Sequence, residues 1–270
     1  MVALAACSSS KSDPVTPEDA GVEAGPVQGT FNDWSCLGEV TLPAASSDPI
    51  DVSLLLLGPV GGTPAAGVHV RACPDPKDET CAGGSTPADT DPNGRVTLAV
   101  TKGFGGYFEA TEANDTTDLH FNVNPFFASH PSDRQEWHST ELRFVLDPIP
   151  LAIDTTRGQI LMQAQDCRSH TLPQNNDFSR PSPLAGGVRF VLDPMPAGVV
   201  LGYAVATPQG RISTTATETE DDVGLGGFIN VPPGRYTVTG IRAATGERIG
   251  SQSIHVRADT FSMLIVAPTP

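Results

Sequence analysis

The sequence predicts an all-β protein in which two Greek-key β-sandwich domains follow a disordered N-terminal tether. Short apolar or alternating runs of about five residues succeed one another from residue 52 onward, which is typical of sandwiches and barrels. Glycine (27 residues) and proline (25) together approach a fifth of the 270-residue chain, so many tight turns are expected. No stretch of about ten residues shows the apolar periodicity of an amphipathic helix.

The first 30 residues are predicted to be an anchor and a tether. Leu4-Ala5-Ala6-Cys7 resembles the lipobox of bacterial lipoproteins, in which small residues precede a cysteine that receives lipid. This resemblance implies that residues 1–7 are the remnant of a lipoprotein signal peptide and that Cys7 carries the lipid. A complete signal peptide has an apolar stretch of about 7–15 residues, so the natural start is expected further upstream, and a chance match is the alternative. Residues 8–30 are rich in Ser, Pro, Asp, Glu and Gly without periodicity, which predicts a disordered tether.

The strands are predicted from runs in which apolar residues alternate or continue between turn residues. The run Leu54-Leu55-Leu56-Leu57 is too short to span a membrane and precedes a Gly-Pro turn, so it indicates a buried strand. The predicted strands are residues 52–57, 68–72, 95–100, 107–111, 119–123, 141–146, 159–164, 188–192, 199–206, 227–231, 236–241, 252–256 and 261–266.

A weak internal repeat indicates two copies of one unit. Residues 64–70 (PAAGVHV) are similar to residues 183–190 (PLAGGVRF). In both halves a Thr- and Asp-rich turn follows, and then a glycine turn that leads into an aromatic strand. These later parts are residues 90–94 and 105–108 in the first half, and residues 217–222 and 232–236 in the second. Similar order at comparable spacing predicts one β-sandwich domain in residues 31–155 and another in residues 156–270.

The repeated motifs carry a resemblance to a known family. The pattern P-x-A-G-V-x-V, then T-D-x-x-G-x-V-x-L, then G-x-Y resembles the carboxypeptidase regulatory-like (transthyretin-like, or prealbumin-like) β-sandwich. Residues 228–238 (FINVPPGRYTV) match the usual ending of that family well. The resemblance implies a non-catalytic domain that accompanies an enzyme or a surface protein. Residues 34–38 and 165–167 also resemble envelope lipoproteins of large-genome Gram-negative bacteria.

The cysteines predict a disulfide framework. Apart from Cys7 the chain has Cys36, Cys73, Cys81 and Cys167, an even number that fits an exported protein. Four cysteines allow three pairings. The polar segment between Cys73 and Cys81 is short enough to be closed locally, so we predict this bridge together with Cys36–Cys167. A zinc site is the alternative, and it is disfavoured because no pair has C-x₂₋₄-C spacing.

No catalytic, metal or cofactor motif is complete. Asp89-Thr90-Asp91-Pro92-Asn93-Gly94 begins like an EF-hand calcium loop, but the twelfth position, which needs a glutamate, is Val100. We therefore predict a hairpin turn at Asn93-Gly94. The six histidines lack the spacing of metal ligands, and the disulfides leave no thiol as a nucleophile. The sequence thus predicts no enzyme activity, no cofactor and no metal.

One aromatic stretch leaves an alternative open. Three histidines lie among aromatic residues that could together line a ligand groove. The preferred interpretation is that the aromatic side chains pack the first sandwich and the histidines lie on its surface. The residues concerned are His120, His130 and His138 with Phe121, Phe126, Phe127 and Trp137.

The charge and the anchor together predict a class of function. A formal charge of −15 argues against a nucleic-acid partner and against electrostatic docking on anionic lipid. We expect a non-enzymatic cell-envelope lipoprotein that is held by lipid on Cys7 in the outer membrane of a Gram-negative bacterium. Its function is expected to be structural or partner-binding, with a protein or glycan partner on loops such as Cys73–Cys81 and residues 168–183. The alternative is a surface lipoprotein that binds carbohydrate or a small ligand.

Overall fold

The computed structural model describes residues 32–58, 62–112, 117–122, 124–129, 134–137, 152–169, 184–206, 212–221 and 223–270. Residues 31–270 form one compact unit. Its strands are β1 (Pro49–Leu57), β2 (His69–Cys73), β3 (Ala88–Asp89), β4 (Arg95–Thr101), β5 (Tyr107–Thr111), β6 (Thr117–Asn122), β7 (Arg134–Trp137), β8 (Gly158–Ala164), β9 (Val188–Asp193), β10 (Val200–Ala204), β11 (Ile212–Ser213), β12 (Leu225–Val231), β13 (Gly234–Arg242), β14 (Arg248–Val256) and β15 (Thr260–Val266).

The predicted all-β class is confirmed. In the part of the chain that the structure describes, the helical element is a single 3-10 turn, Cys167–Ser169. Each predicted strand in these ranges overlaps an observed strand, whereas the predicted strand at 141–146 lies outside the described residues. No helix among the described residues is long and apolar enough to span a membrane.

The first sandwich packs the sheet β4-β1-β7 against the strands β3-β2-β5-β6. Strands β1 and β4 alternate between buried and more exposed residues because one face of their sheet covers the core and the other faces solvent. This core consists of Ile50, Val52, Leu54, Leu56, Val68, Val70, Ala72, Val96, Leu98, Val100, Phe104, Phe108, Ala110 and Phe126.

The second sandwich packs the sheet β14-β13-β9 against the strands β11-β10-β12-β8-β15. Strand β15 pairs in parallel with β8 on one side and with β6 on the other. The strands of both halves therefore form one nine-stranded sheet, in the order β11-β10-β12-β8-β15-β6-β5-β2-β3. The domain boundary at residues 155 and 156 stays a prediction, and the sheet is continuous across it.

A buried threonine organises the first copy of the repeat. The Thr90 hydroxyl accepts a hydrogen bond from the Val68 amide (2.9 Å) and donates one to the Ala65 carbonyl (2.6 Å). Gly94 follows with φ 77°, and a Cβ at this position would lie 2.5 Å from the Leu56 carbonyl oxygen. The Leu56 carbonyl oxygen accepts a hydrogen bond from the Ala65 amide, and the Leu56 amide donates one to the Gly94 carbonyl. Glycine is needed here because the backbone has positive φ and passes against another strand.

The second copy repeats these contacts atom for atom. The Thr219 hydroxyl accepts from the Val188 amide (3.1 Å) and donates to the Ala185 carbonyl (2.7 Å). Gly224 has φ 55°, and its carbonyl accepts from the Ala164 amide (2.7 Å), as that of Gly94 does from Leu56. The same backbone arrangement therefore occurs twice in the chain.

The Asn93-Gly94 turn differs from the prediction in one respect. The Asp91 carboxylate accepts the amides of Asn93 (2.8 Å) and Arg95 (2.9 Å), which makes the chain turn tightly as expected. The flanking strands do not form a hairpin, however, because β3 pairs with β2 in one sheet and β4 pairs with β1 in the other. The turn therefore connects the two sheets of the first sandwich, and the predicted hairpin is wrong.

Candidate functional site

The two predicted disulfides lie within the described residues, whereas the predicted lipidation site Cys7 does not. Both predicted disulfides are confirmed, Cys36–Cys167 with a Cα–Cα distance of 5.7 Å and Cys73–Cys81 with one of 4.9 Å. Cys7 and residues 170–183, most of the second predicted contact loop, lie outside the described residues. The Cys73–Cys81 segment, here called the disulfide loop, is therefore the predicted contact surface that can be described.

Hydrogen bonds inside the disulfide loop fix its conformation. The Asp78 carboxylate accepts the amide (2.9 Å) and hydroxyl (2.8 Å) of Thr80 and the amide of Ala82 (2.7 Å). These bonds hold the pKa of Asp78 below its usual value of 3.8. Cys81 adopts a positive φ of 57°, which lets the chain close back on Cys73. The loop is thus a turn whose conformation is held by its own hydrogen bonds and by the disulfide.

Strands β5 and β14 hold the loop from below. The Tyr107 hydroxyl donates to the Asp78 carbonyl (2.9 Å), and His255 Nδ1 bonds the Pro76 carbonyl (3.1 Å). The His255 ring is 1% exposed and meets the rings of Tyr107 and Phe121 edge-on, at 4.9 and 5.6 Å. Burial lowers the pKa of His255 from 6.5, and burial raises the pKa of Tyr107 to about 12. Both side chains are therefore neutral anchors at neutral pH.

A buried ionic group completes this support. Glu109 on β5 is 6% exposed and lies between two arginines. Arg71 Nε donates to its Oε1 (2.8 Å), and an Nη of Arg257 donates to its Oε2 (2.5 Å). Arg257 also donates to the Glu79 carbonyl of the loop (3.4 Å). Because each carboxylate oxygen has a cationic donor, the buried charge is compensated.

The outer side of the disulfide loop is a small charged surface. Asp75, Lys77, Glu79 and Thr80 are exposed, while the cysteines that close the loop are buried. A fixed backbone that displays mixed charges suits recognition of another protein, since little conformational entropy is lost on binding. It carries no free thiol, because Cys73 and Cys81 are bonded to each other.

The other disulfide holds the start of the described chain on the second sandwich. The Asp33 amide donates to the buried Asp166 carboxylate (2.8 Å), and the Cys167 amide donates to the Asp33 carbonyl (2.7 Å). Arg168 Nε donates to the same carboxylate (2.7 Å). The Arg242 guanidinium lies 5.7 Å from the centre of the Trp34 ring. Residues 33–36 are therefore bound by covalent, hydrogen-bonded and aromatic contacts together.

The calcium-like sequence serves the fold in this structure. Asp91 caps the turn, and the Asp89 carboxylate pairs with the exposed His69 ring. Within the described ranges no group of three or more His, Cys, Asp and Glu side chains is placed to hold a metal ion.

The aromatic stretch divides between the two cores. Phe126 packs against Phe104 and Phe108 in the first sandwich, as preferred from the sequence, whereas Phe121 belongs to the second core beside Tyr107. His120 is 1% exposed, so the expectation that it lies on the surface is wrong. It is buried because β6 is an interior strand of the nine-stranded sheet.

The structure says less about the other four residues of the aromatic stretch. Phe127 is half-buried, His130 and His138 lie outside the described residues, and Trp137 ends β7. The large apolar side chains exposed in the described part are Leu42 (39%) and Met195 (51%). Neither of these two side chains is aromatic.

Sequence reasoning missed the buried polar group under the disulfide loop. The sequence gives only a weak indication that Glu109 is buried, namely its place inside the otherwise apolar run Tyr107-Phe108-Glu109-Ala110. Nothing local identifies Arg257 as its partner, because that residue is far away in the sequence.

No protein-family model and no curated protein matches this sequence. Among solved structures, the shaft pilin SpaA from Lactobacillus rhamnosus GG is similar at 14% identity and TM-score 0.24, covering 83% of this chain and 99% of that chain. A Streptococcal ancillary pilin has 12% identity and TM-score 0.25, covering 82% and 62%. The Bacillus anthracis TIE protein has 10% identity and TM-score 0.23, covering 82% and 34%. Scores this low do not support an argument about function.

Proposed function

We propose that this chain is a non-enzymatic cell-envelope lipoprotein, a rigid β-sandwich module that presents a partner-binding surface at the end of a tether. In this proposal Cys7 carries the lipid, residues 8–30 are the tether, and the disulfide loop is part of the contact surface. The membrane concerned is the outer membrane of a Gram-negative bacterium.

The observation that carries the proposal is that all four cysteines of the compact unit are paired. Cys36–Cys167 and Cys73–Cys81 are structural bridges, since three of the four cysteines are buried. Structural disulfides persist in oxidising compartments and are rare in the cytosol. An exported location is also what the lipobox-like Leu4-Ala5-Ala6-Cys7 requires, so two independent features of the chain agree.

The geometry supports a binding or structural role more than a chemical one. The disulfide loop is fixed from inside by Asp78 and from below by Tyr107 and His255. The ionisable groups beneath it serve as packing and hydrogen-bonding partners of the loop. Such a scaffold displays a loop of constant shape, which is how stable domains commonly present a contact surface.

The anchor is tested by fractionating cells that express the full-length gene with its upstream sequence. We expect the wild-type protein in the membrane fraction and the Cys7→Ser variant in the soluble fraction, with the lipid mass missing from the variant's N-terminal peptide. Stable attachment is expected because lipoproteins carry several acyl chains, while a single chain anchors only marginally.

The matched control is Ser10→Ala, a change of similar size three residues further along the tether. This variant should remain in the membrane fraction. An equal distribution of the wild-type and Cys7→Ser proteins, or an unmodified Cys7 in the mass spectrum, would contradict the proposed anchor.

A further inference from the structure

Among the residues that the structure describes, one side of the first sandwich ends in a strand edge, that of β4, with which no other strand pairs. In β4 the even-numbered residues direct their backbone amides and carbonyls toward β1. This follows from the hydrogen bonds at the two ends of the pairing, which join the Leu56 amide to the Gly94 carbonyl (2.9 Å) and the Lys102 amide to the Asp48 carbonyl (2.9 Å). The odd-numbered residues therefore direct their amides and carbonyls to the outer side. Arg95 uses both of its groups with Asp91 in the preceding turn. The backbone amides and carbonyls of Thr97 and Ala99 have no hydrogen-bond partner on that side among the residues that the structure describes.

The second copy of the repeat covers the corresponding edge. Gly94 matches Gly224, so β4 matches β12 residue for residue from Arg95 and Leu225 onward. Strand β10 pairs antiparallel with β12 over four positions, from Gly226 to Ile229. In the first copy the chain between β2 and Thr90 forms the disulfide loop and β3, and it places no strand beside β4. Within the described ranges, the first sandwich thus leaves open the part of its edge that the second sandwich fills with an antiparallel strand.

The open edge of β4 also lacks the usual protection. Soluble proteins guard sheet edges with short strands, charges, prolines or bulges. Among the edge strands of the described residues, β3 and β11 are two residues long, β7 contains Arg134 and Glu136, and β9 contains Arg189 and Asp193, whereas β14 is long like β4. Strand β4 has seven regular residues, RVTLAVT, with its one charge at the first position. A strand of this kind is suited to pairing with another strand.

We propose that β4 is an interface between two copies of this chain, which pair antiparallel about a two-fold axis at Leu98. In this register Thr97 of each copy faces Ala99 of the other, and their outward amides and carbonyls form four hydrogen bonds. The two Leu98 side chains meet on the core side, and the sheet β4-β1-β7 becomes a continuous six-stranded sheet. The interface goes beyond the proposed function and does not depend on a lipid anchor.

The sequence of β4 fits itself in this register. Arg95 lies opposite Thr101 of the second copy, so the two Arg95 side chains do not face and repel each other. On the core side Val96 lies opposite Val100, which continues the apolar row of the sheet. Each chain carries a formal charge of −15, and this overall repulsion opposes the pairing at low salt. Added salt should therefore strengthen the dimer, since screening removes the repulsion and leaves the backbone hydrogen bonds.

The test is the oligomeric state of the full 270-residue chain, made with Cys7→Ser so that neither lipid nor a free thiol joins two copies. Sedimentation velocity is measured at protein concentrations between about 10 and 500 μM, which cover the dissociation constants of small transient interfaces. It should show a monomer–dimer equilibrium that shifts toward the dimer in about 0.5 M NaCl.

Charge variants test the register. Thr97→Glu with Ala99→Glu places two carboxylates opposite each other in both halves of the interface, and the dissociation constant should rise about tenfold or more. Thr97→Lys with Ala99→Glu places opposite charges there instead, and the dimer should persist or tighten. The matched control, Thr214→Glu with Ala244→Glu, adds the same charge at exposed positions away from β4 and should leave the dimer intact.

Two results would overturn the proposal. One is a wild-type chain that stays monomeric at all these concentrations and salt levels, which would show that β4 does not pair with a second copy. The other is an equal effect of the Glu/Glu and Lys/Glu pairs, because only antiparallel pairing about Leu98 brings positions 97 and 99 face to face. Circular dichroism of each variant should match the wild type, so that loss of the dimer is separated from loss of the fold.

Discussion

Removing the Cys36–Cys167 bridge should destabilise the protein more than removing Cys73–Cys81. The bridges join residues 131 and 8 positions apart. A cross-link lowers the entropy of the unfolded chain in proportion to the logarithm of the loop length, which gives about 5 kcal/mol for the long loop and about 2.5 kcal/mol for the short one. The variants are Cys36→Ala with Cys167→Ala, and Cys73→Ala with Cys81→Ala, so that neither leaves an unpaired thiol.

Packing works against this expected order, which makes the comparison stringent. Cys73 and Cys81 are both buried, whereas Cys36 is only half-buried beside the buried Cys167. Truncation to alanine therefore removes more core contacts from the short-loop variant. If the short-loop variant still keeps the higher stability, chain entropy is the cause.

The measurement is urea unfolding followed by far-UV circular dichroism. With a slope of about 3 kcal/mol per molar urea, the midpoint should fall by about 1.7 M for the long bridge and about 0.8 M for the short one. If the long-bridge variant is unfolded without urea, both variants can be compared in a stabilising osmolyte. An equal or larger loss for the short-loop variant would refute the entropic reasoning.

Three further predictions concern buried polar side chains. The lowered pKa of His255 means that its contribution to stability is complete above pH 6.5 and is lost as the pH falls below it, so His255→Phe should reduce the loss of stability between pH 7 and 5. Glu109→Gln should cost about 3 kcal/mol in urea unfolding, because two arginines lose their buried counter-charge. Thr219→Val should cost about 1–3 kcal/mol by leaving the Val188 amide unpaired, whereas Thr214→Val, at an exposed position, should cost almost nothing.

The strands and the bridges could be predicted because their signals are local. The alternation in β1 and β4 reports which face is buried, and Cys73 and Cys81 are close enough in sequence to be paired by inspection. The Asn93-Gly94 turn was also readable from its residues. The sequence predicts one hairpin for the flanking strands, because nothing in the turn itself tells whether the chain returns to the same sheet or crosses to the other.

The joining of the two sandwiches could not be predicted in the same way. It depends on the parallel pairing of β15 with β6, strands separated by more than half of the chain. The site under the disulfide loop has the same origin, since Glu109 can be buried only where Arg257 comes close. Long-range pairing decides both features, and residue patterns within a single strand do not specify it.

The position of the Cys36–Cys167 bridge determines how the protein responds to a pulling force. A pull applied before Cys36 and after Cys167 is carried along the covalent chain through the two sulfur atoms. About 450 Å of chain, 131 residues at about 3.5 Å each, therefore cannot be extended while the bridge is oxidised. Reduction would release this length in addition to lowering stability. In single-molecule stretching, the thiol state of two residues would therefore decide whether the molecule behaves as a short, stiff link or as a long, extensible one.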